Sequence, residues 1–80
     1  MNPAEIKACE QLSEKLGNLL GKVREEAGIS KTELSARSGL SRSAILKIET
    51  AYRTPTISTL FRIARSLEVN LWEMIKEVEQ

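Results

Sequence analysis

Residues 42–50 carry side chains that suit the recognition of DNA bases. Arg42, Ser43, Leu46 and Lys47 have the spacing that places them on the outward face of one short helix. Arginine and lysine pair with guanine O6 and N7, hydroxyls bond to several base edges, and a leucine can contact a thymine methyl. The pattern predicts a recognition helix in the major groove whose four side chains read bases. Leu46 is either such a contact or an ordinary surface leucine.

A second set of polar residues suits the sugar–phosphate backbone. Lys31, Thr32 and Ser41 stand at the starts of two predicted helices, where N–H groups and the helix dipole favour phosphate. Thr50 and Tyr52 follow at the end of the recognition helix, and we expect them to contact the backbone as well. Tyr52 either donates its hydroxyl to a phosphate or packs on the core.

The charge of the chain is concentrated in this region. The whole sequence has a net charge of +1, whereas residues 31–54 hold five basic residues against Glu33 and Glu49. A local basic segment of this kind is typical of a surface that faces phosphates.

The composition argues against an enzyme. There is no histidine and one cysteine, which removes the usual zinc sites and most nucleophilic triads. No glycine-rich phosphate loop and no carboxylate pair suited to acid–base work is evident. We therefore expect no catalytic residue, metal, cofactor or small-molecule ligand.

Cys9 and the lack of long apolar runs bear on location. A lone thiol fits a reducing compartment, where Cys9 is either a small buried hydrophobe or a redox or intermolecular disulfide site. No apolar run approaches the roughly 20 residues that a membrane span needs. The charged, amphipathic N-terminus is not typical of a signal peptide. The sequence predicts a cytoplasmic protein that does not bind a membrane.

Hydrophobic periodicity predicts helices throughout one domain, residues 1–80. The first helix is expected over about residues 4–27, with residues 1–15 as an N-terminal helical extension. Gly17 and Gly21 indicate either a break in this helix or the close approach of another helix. Gly28 is expected to end it.

Residues 30–50 have the signals of a helix-turn-helix. Ser30 and Glu33 predict a capping box at the start of a helix that Gly39 ends. Ser41 then predicts the N-cap of the recognition helix. The inward positions are Leu34, Ser35, Ile45 and Ile48.

Residues 56–80 predict a fourth and a fifth helix, which begin after Thr56 and Asn70. Arg62 and Arg65 are expected to face away from the core. The apolar stripe of the fourth helix is Ile57, Leu60, Phe61, Ala64 and Leu67.

Several motifs resemble those of a known family. They include G-I-S-x-x-E-L-S from Gly28, Gly39 in the turn, R-T-P-T from Arg53, and L-x-x-I-A-R-S-L-x-V-N-L-W-E-M from Leu60. From Leu16 to Val78 the chain resembles the Cro and phage-repressor-like (XRE-type) helix-turn-helix proteins of bacteria and phages. The resemblance implies an all-α, five-helix, lambda-repressor-like DNA-binding domain, here with an extended first helix.

The same resemblance implies roles for residues outside the recognition helix. Arg53 matches a position at which phosphate contacts are common. Arg24 and Glu49 match a structural ion pair that joins the first helix to the end of the third. Similar proteins often carry glycine where this chain has Ala51, which leaves the loop geometry open.

We interpret the sequence as a sequence-specific transcriptional regulator, such as a repressor or a controller protein, that binds double-stranded DNA. Phe61, Leu71, Trp72 and Ile75 are the candidates for a homodimer interface. A two-fold dimer would bind a near-palindromic operator with half-sites about one helical turn apart.

Two alternatives stay open. An antitoxin-type or other protein-interaction module of the same fold would bind a protein partner through the N-terminal extension, with Ile6, Cys9 and Leu12 on its apolar side. A helix-turn-helix that has lost DNA binding is the other, although the basic residues argue against it.

Overall fold

Five helices form the fold of residues 1–79, which are the residues that this computed structural model describes. They are α1 (Pro3–Glu26), α2 (Lys31–Ser38), α3 (Arg42–Glu49), α4 (Ile57–Ser66) and α5 (Leu71–Glu79). The predicted all-α architecture is confirmed, with each predicted start and end displaced by no more than one residue. Within this part of the chain, none of the helices is both long and apolar enough to cross a membrane.

Capping side chains begin the helices where the sequence places them. The hydroxyls of Ser30, Ser41 and Thr56 each accept a hydrogen bond from a backbone N–H three residues later, at 3.0–3.1 Å. The expected capping box at α2 is half formed, because the Glu33 carboxylate accepts from Arg37 instead, at 2.7 Å. The complete box is at α1, between Asn2 and Glu5, and it was not predicted.

Residues with positive φ follow the first four helices, and two of these residues are not glycine. Gly28 and Gly39 follow α1 and α2 with φ 72° and 75°, as predicted, whereas Ala51 follows α3 with φ 63° and Glu68 follows α4 with φ 58°. After α3, the N–H of Tyr52 donates to the Lys47 carbonyl oxygen at 2.8 Å, which satisfies the end of the helix. Ala51 therefore adopts the left-handed conformation that glycine takes readily, at a steric cost.

The core lies where all five helices meet. α1 packs on α3 and α5, α2 packs on α3 and α4, and α4 packs on α5. The buried apolar residues are Leu16, Leu20, Leu34, Ile45, Ile48, Leu60, Ile63, Ala64, Leu67, Leu71 and Met74. Leu34, Ile45 and Ile48 lose all or nearly all of their exposure, so the inner side of the helix-turn-helix is part of the central core.

The predicted apolar stripe of α4 is partly wrong. Leu60, Ala64 and Leu67 are buried as expected, but Ile57 and Phe61 are exposed. Ile63, which the stripe omits, is buried instead. The apolar residues of α4 therefore face in two directions, so only one of its two apolar faces is covered.

Gly17 and Gly21 mark a close approach rather than a break. α1 runs through both glycines without interruption. A Cβ at Gly17 would collide with the Ile48 carbonyl oxygen, and one at Gly21 would lie 3.2 Å from the Glu49 side chain. The two glycines thus let the C-terminal end of α3 rest directly on α1.

Arg24 and Glu49 join α1 to α3 at the same place. Arg24 Nε and Nη2 donate to the two Glu49 carboxylate oxygens at 2.7 and 2.9 Å, and Arg24 Nη1 donates to the Ile29 carbonyl oxygen at 2.8 Å. The side chains are 6% and 9% exposed. The hydrogen bond to Glu49 raises the pKa of Arg24 against the opposing effect of burial, and the charge of Glu49 adds to the rise.

A reciprocal pair of arginines joins α2 to α4. Arg62 Nε donates to the Ser38 carbonyl oxygen at 3.1 Å, and Arg37 Nη1 donates to the Ser66 carbonyl oxygen at 3.3 Å. Each arginine thus satisfies a carbonyl at the C-terminal end of the other helix. Arg62 is exposed, as predicted, and its guanidinium lies across the turn at Gly39.

The N-terminal half of α1 extends beyond the core. Residues 1–11 are all exposed, and they include Ile6 and Cys9. The interpretation of Cys9 as a small buried hydrophobe is therefore wrong, since Cys9 is exposed. The apolar side of the helix becomes covered from Leu12 onward, first partly and then fully at Leu16.

The left-handed residue after α3 gives a first prediction about stability. We expect Ala51→Gly to raise the free energy of unfolding by about 0.5–1 kcal/mol, because relief of the left-handed strain exceeds the added entropy of the unfolded chain. The matched control, Ala36→Gly in the exposed interior of α2, should lower it by about 1 kcal/mol. Urea denaturation measures both, and a loss of stability in both variants would show that Ala51 is not strained.

The ion pair gives a second prediction. We expect Glu49→Ala to lower the free energy of unfolding by about 3–5 kcal/mol, because the buried Arg24 guanidinium loses both hydrogen bonds to a carboxylate and keeps only the exposed Glu25, at 3.6 Å. The double variant Arg24→Met with Glu49→Leu should recover a large part of that loss, since two apolar side chains need no charge partner. The same denaturation measurement applies, and a double variant less stable than Glu49→Ala would contradict this account.

Candidate nucleic-acid interface

The outward face of α3 is held by its inward face. Ile45 and Ile48 are buried in the core, so the rotation of the helix about its axis is fixed. Arg42, Ser43 and Leu46 are exposed on the other side. The structure therefore presents three of the four predicted base-reading residues to solvent from a rigid helix.

These three residues share a shallow hollow with the start of α2. The hollow has a volume of about 350 Å³ and is lined by Lys31, Arg42, Ser43 and Leu46. Its walls therefore combine two cations, a hydroxyl and an apolar side chain. This is the mixture of groups that base edges and phosphates can use together.

Arg42 does not extend freely into solvent. Its Nη1 donates a hydrogen bond to the Thr32 hydroxyl oxygen at 3.0 Å, across the gap between α3 and α2. Both residues were expected to contact DNA, but the sequence carries no signal for a bond between them. Their separation of ten residues across a turn becomes a contact only when the two helices pack.

The remaining predicted contacts lie at the end of α3 and in the following loop. Lys47 is half-buried, and the Thr50 hydroxyl donates to the Leu46 carbonyl oxygen at 2.7 Å. Tyr52 is 81% exposed, so it does not pack on the core. The N–H groups of Tyr52 and Arg53 both donate to the Lys47 carbonyl oxygen, which fixes the loop beside the recognition helix.

The two carboxylates of residues 31–54 are engaged in ion pairs, which leaves the surrounding basic residues without acidic neighbours in this segment to offset them. Glu33 accepts from Arg37 at 2.7 Å, and Glu49 is held by Arg24, which lies outside the segment. Lys31, Arg42, Lys47 and Arg53 are the other basic residues of this segment. The two acidic residues therefore do little to offset these four cations, and an anionic polymer is the partner that the charge favours.

The dimer candidates divide into three kinds. Phe61 and Trp72 are 51% and 63% exposed, and both line a hollow that Val69 also lines. Ile75 is half-buried against the core. Leu71 is buried in the monomer, so the prediction that it contacts a second copy of the chain is wrong. It begins α5 on the side of the helix that faces the core.

Among residues 1–79, no group of three or more cysteine, aspartate and glutamate side chains is placed to hold a metal ion.

Comparisons with known proteins agree with this geometry. The helix-turn-helix family matches residues 20–71. The uncharacterised HTH-type transcriptional regulator y4dJ of Sinorhizobium fredii is 31% identical over 65 residues, which are 81% of this chain and 84% of that protein. The HTH-type transcriptional regulator PuuR of Escherichia coli is 34% identical over 64 residues, but these are only 35% of its length.

A solved structure extends the likeness to the fold. The crystal structure of a mutant of the restriction-modification controller protein C.Esp1396I has a TM-score of 0.78 and 32% sequence identity. The match covers 85% of this chain and 88% of that one. With its five helices, its turn at Gly39 and its exposed α3 face, the chain belongs to the helix-turn-helix family of DNA-binding transcriptional regulators, which is not a class of enzymes.

Proposed function

We propose that this protein regulates transcription by binding a specific, near-palindromic DNA operator as a homodimer, with α3 in the major groove. The hollow lined by Lys31, Arg42, Ser43 and Leu46 is the observation that carries this proposal. It joins residues suited to base edges with a cation at the start of the neighbouring helix. Contacts to bases and to backbone therefore come from one rigid surface.

Each residue of this surface has a proposed role. Arg42, Ser43, Leu46 and Lys47 read base edges from the outward side of α3. The backbone contacts come from the helix starts and from the end of α3, where the loop is fixed by hydrogen bonds to Lys47. They are Lys31, Ser41, Thr50, Tyr52 and Arg53.

The proposed dimer uses the uncovered face of α4. Ile57 and Phe61 lie one helical turn apart on α4 and are both exposed, and Phe61 shares a hollow with the exposed Trp72. Exposed aromatic residues that share a hollow favour association, because burying them removes apolar area from water. Half-buried Ile75 would lie at the edge of this surface. A two-fold axis there pairs the recognition helices with two half-sites.

A second candidate function is supported by α1. Ile6 and Cys9 are exposed on the projecting half of α1, and this side leads to a groove lined by Leu12, Leu16 and Ile57, among others. An antitoxin-type module would use such a surface to bind a protein. We propose the cytoplasm as the place of action for either function, since a lone exposed thiol such as Cys9 stays reduced there.

A selection from random duplex DNA tests the proposed function. The purified protein should enrich a near-palindrome whose half-sites are about one helical turn apart. Titration of the enriched duplex at two salt concentrations should show affinity that falls as salt rises. If no sequence is enriched and binding is weak, specific DNA recognition is refuted and the protein-partner function becomes the better account.

Arg42 and Lys31 should behave differently on the selected operator. We expect Arg42→Ala to cost about 1–3 kcal/mol of binding free energy and to relax preference at one base pair of each half-site. Lys31→Ala should weaken binding to all duplexes alike and lower the slope of log affinity against log salt by about one for each half-site. Titrations of single-base operator variants measure both, and a uniform loss with Arg42→Ala would refute its base-reading role.

The dimer proposal is tested without DNA. We expect Trp72→Glu to shift the protein to monomer in analytical ultracentrifugation, because a two-fold interface brings both new carboxylates together. Trp72 is exposed in the monomer, so the fold should survive, as a circular dichroism melt can check. The control Tyr52→Ser removes an exposed aromatic elsewhere and should not alter association. An unchanged dimer in Trp72→Glu would place the interface on another surface.

A further inference from the structure

We propose that Thr32 is a positioning residue that orients Arg42, so that the Nε and Nη2 edge of Arg42 meets the O6 and N7 atoms of a guanine. This inference rests on the proposed function, since it concerns how the DNA surface chooses its sequence. It gives Thr32 a role different from the backbone contact that its place at a helix start suggests.

A hydrogen bond joins Arg42 to Thr32. Arg42 is the first residue of α3, and its Nη1 donates to Thr32 Oγ1 at 3.0 Å, although both residues are exposed. A guanidinium has five N–H donors in a planar fork, so one bond at Nη1 leaves the edge formed by Nε and Nη2 available. The bond to Thr32 thus restrains the guanidinium at Nη1 and leaves Nε and Nη2 to donate to a second pair of acceptors.

Arg24 shows the same kind of contact elsewhere in the molecule. Arg24 uses Nη1 to bond to a backbone carbonyl oxygen, and its Nε and Nη2 then bond to both oxygens of Glu49. Arg42 has the same first contact, with a hydroxyl in place of the carbonyl. The arrangement at Arg24 shows that an arginine held at Nη1 can accommodate a planar pair of acceptors on its remaining edge.

The free edge of Arg42 matches the acceptor pair of a guanine. Guanine presents O6 and N7 as two coplanar acceptors in the major groove, and arginine pairs with both. A phosphate offers two oxygens as well, and Lys31 suits one where it lines the hollow from α2; Ser43 and Leu46 line the hollow from α3, the helix that carries Arg42. An apolar side chain beside a phosphate would remove water from the charge without replacing its hydrogen bonds, whereas beside a base it can contact a thymine methyl.

The group that binds Arg42 Nη1 is an uncharged hydroxyl. A hydroxyl orients the guanidinium and leaves its charge undiminished, whereas a carboxylate at the same place would compete with DNA for it. An arginine that is already held loses less side-chain freedom when it binds, so part of the ordering cost is met before DNA arrives. Thr32 should therefore affect the preference for guanine more than the overall affinity.

The experiment compares Thr32→Val with Thr32→Ser on the selected operator and on its single-base variants. Valine keeps the shape of threonine and removes the hydroxyl, while serine keeps the hydroxyl. We expect Thr32→Val to lose about three- to tenfold of the discrimination at the base pair that Arg42→Ala identifies, from the cost of ordering one free arginine. Thr32→Ser should retain that discrimination, and the preferences at other base pairs should be unchanged in both.

Two further measurements separate a base contact from a phosphate contact. Replacing the guanine with 7-deazaguanine removes the N7 acceptor, which should weaken wild-type binding and have no added effect in Arg42→Ala. Thr32→Val should likewise change nothing in the Arg42→Ala background, because the positioning residue acts only through Arg42. A thermal melt confirms that each variant folds.

Several results would overturn the inference while leaving the proposed function intact. These are an unchanged guanine preference in Thr32→Val, a uniform loss over all duplexes that marks a backbone contact, or insensitivity of the wild type to 7-deazaguanine. A wild-type protein that enriches no DNA sequence would refute both proposals. The two failures are therefore distinguishable by the wild-type selection alone.

Discussion

The contact between α1 and the C-terminal end of α3 is the constraint on which the remaining structure depends. Glycine at positions 17 and 21 removes the side chains that would hold the two helices apart, and the Ile48 carbonyl and the Glu49 side chain occupy that space. Once α3 is this close, Glu49 is nine-tenths buried and must be paired, which Arg24 does through two parallel hydrogen bonds. Close approach and charge pairing therefore require each other, and together they hold one end of the recognition helix to the longest helix of the domain.

The other end of α3 is fixed by α2, which in turn is tied to α4. Leu34 packs in the core with Ile45, and the turn between the two helices uses the positive φ of Gly39. Arg37 and Arg62 bond to the terminal carbonyls of each other's helices, so α2 cannot shift along α4 without breaking both contacts. A surface built this way needs no mobile loop to place Arg42, Ser43 and Leu46. The preorganisation of Arg42 by Thr32 would extend the same principle from helices to a single side chain.

Most of the fold could be predicted from the sequence, because the signals that set it are local. Serine and threonine caps and the glycine that follows α1 placed the helix boundaries to within one residue. What failed depends on packing that a helical period does not contain. Phe61 has the same spacing as the core residues of α4, yet it lies outward because Ile63 fills the inner position. Leu71 appeared available for an interface although it is a core residue, and Ala51 takes a conformation that its side chain disfavours, as does Glu68. The candidate DNA-contacting residues could be predicted from residue type and spacing. The bond between Thr32 and Arg42 could not, because it forms only when α2 and α3 pack together.

The arginines show why composition understates the surface of such a domain. Three of them, Arg24, Arg37 and Arg62, are engaged with carboxylates or helix ends, and Arg42 is anchored to a neutral hydroxyl. Only the structure distinguishes these uses, since all four residues contribute equally to a net charge of +1. Arg24 pairs with Glu49 and Arg37 pairs with Glu33, so the charges of these two carboxylates are neutralised within the fold. The carboxylates therefore do not compete with an external anion for the cations around α3. A net charge of +1 is therefore compatible with a basic surface around α3, because the two carboxylates of residues 31–54 are paired within the fold and the other acidic residues lie outside this segment.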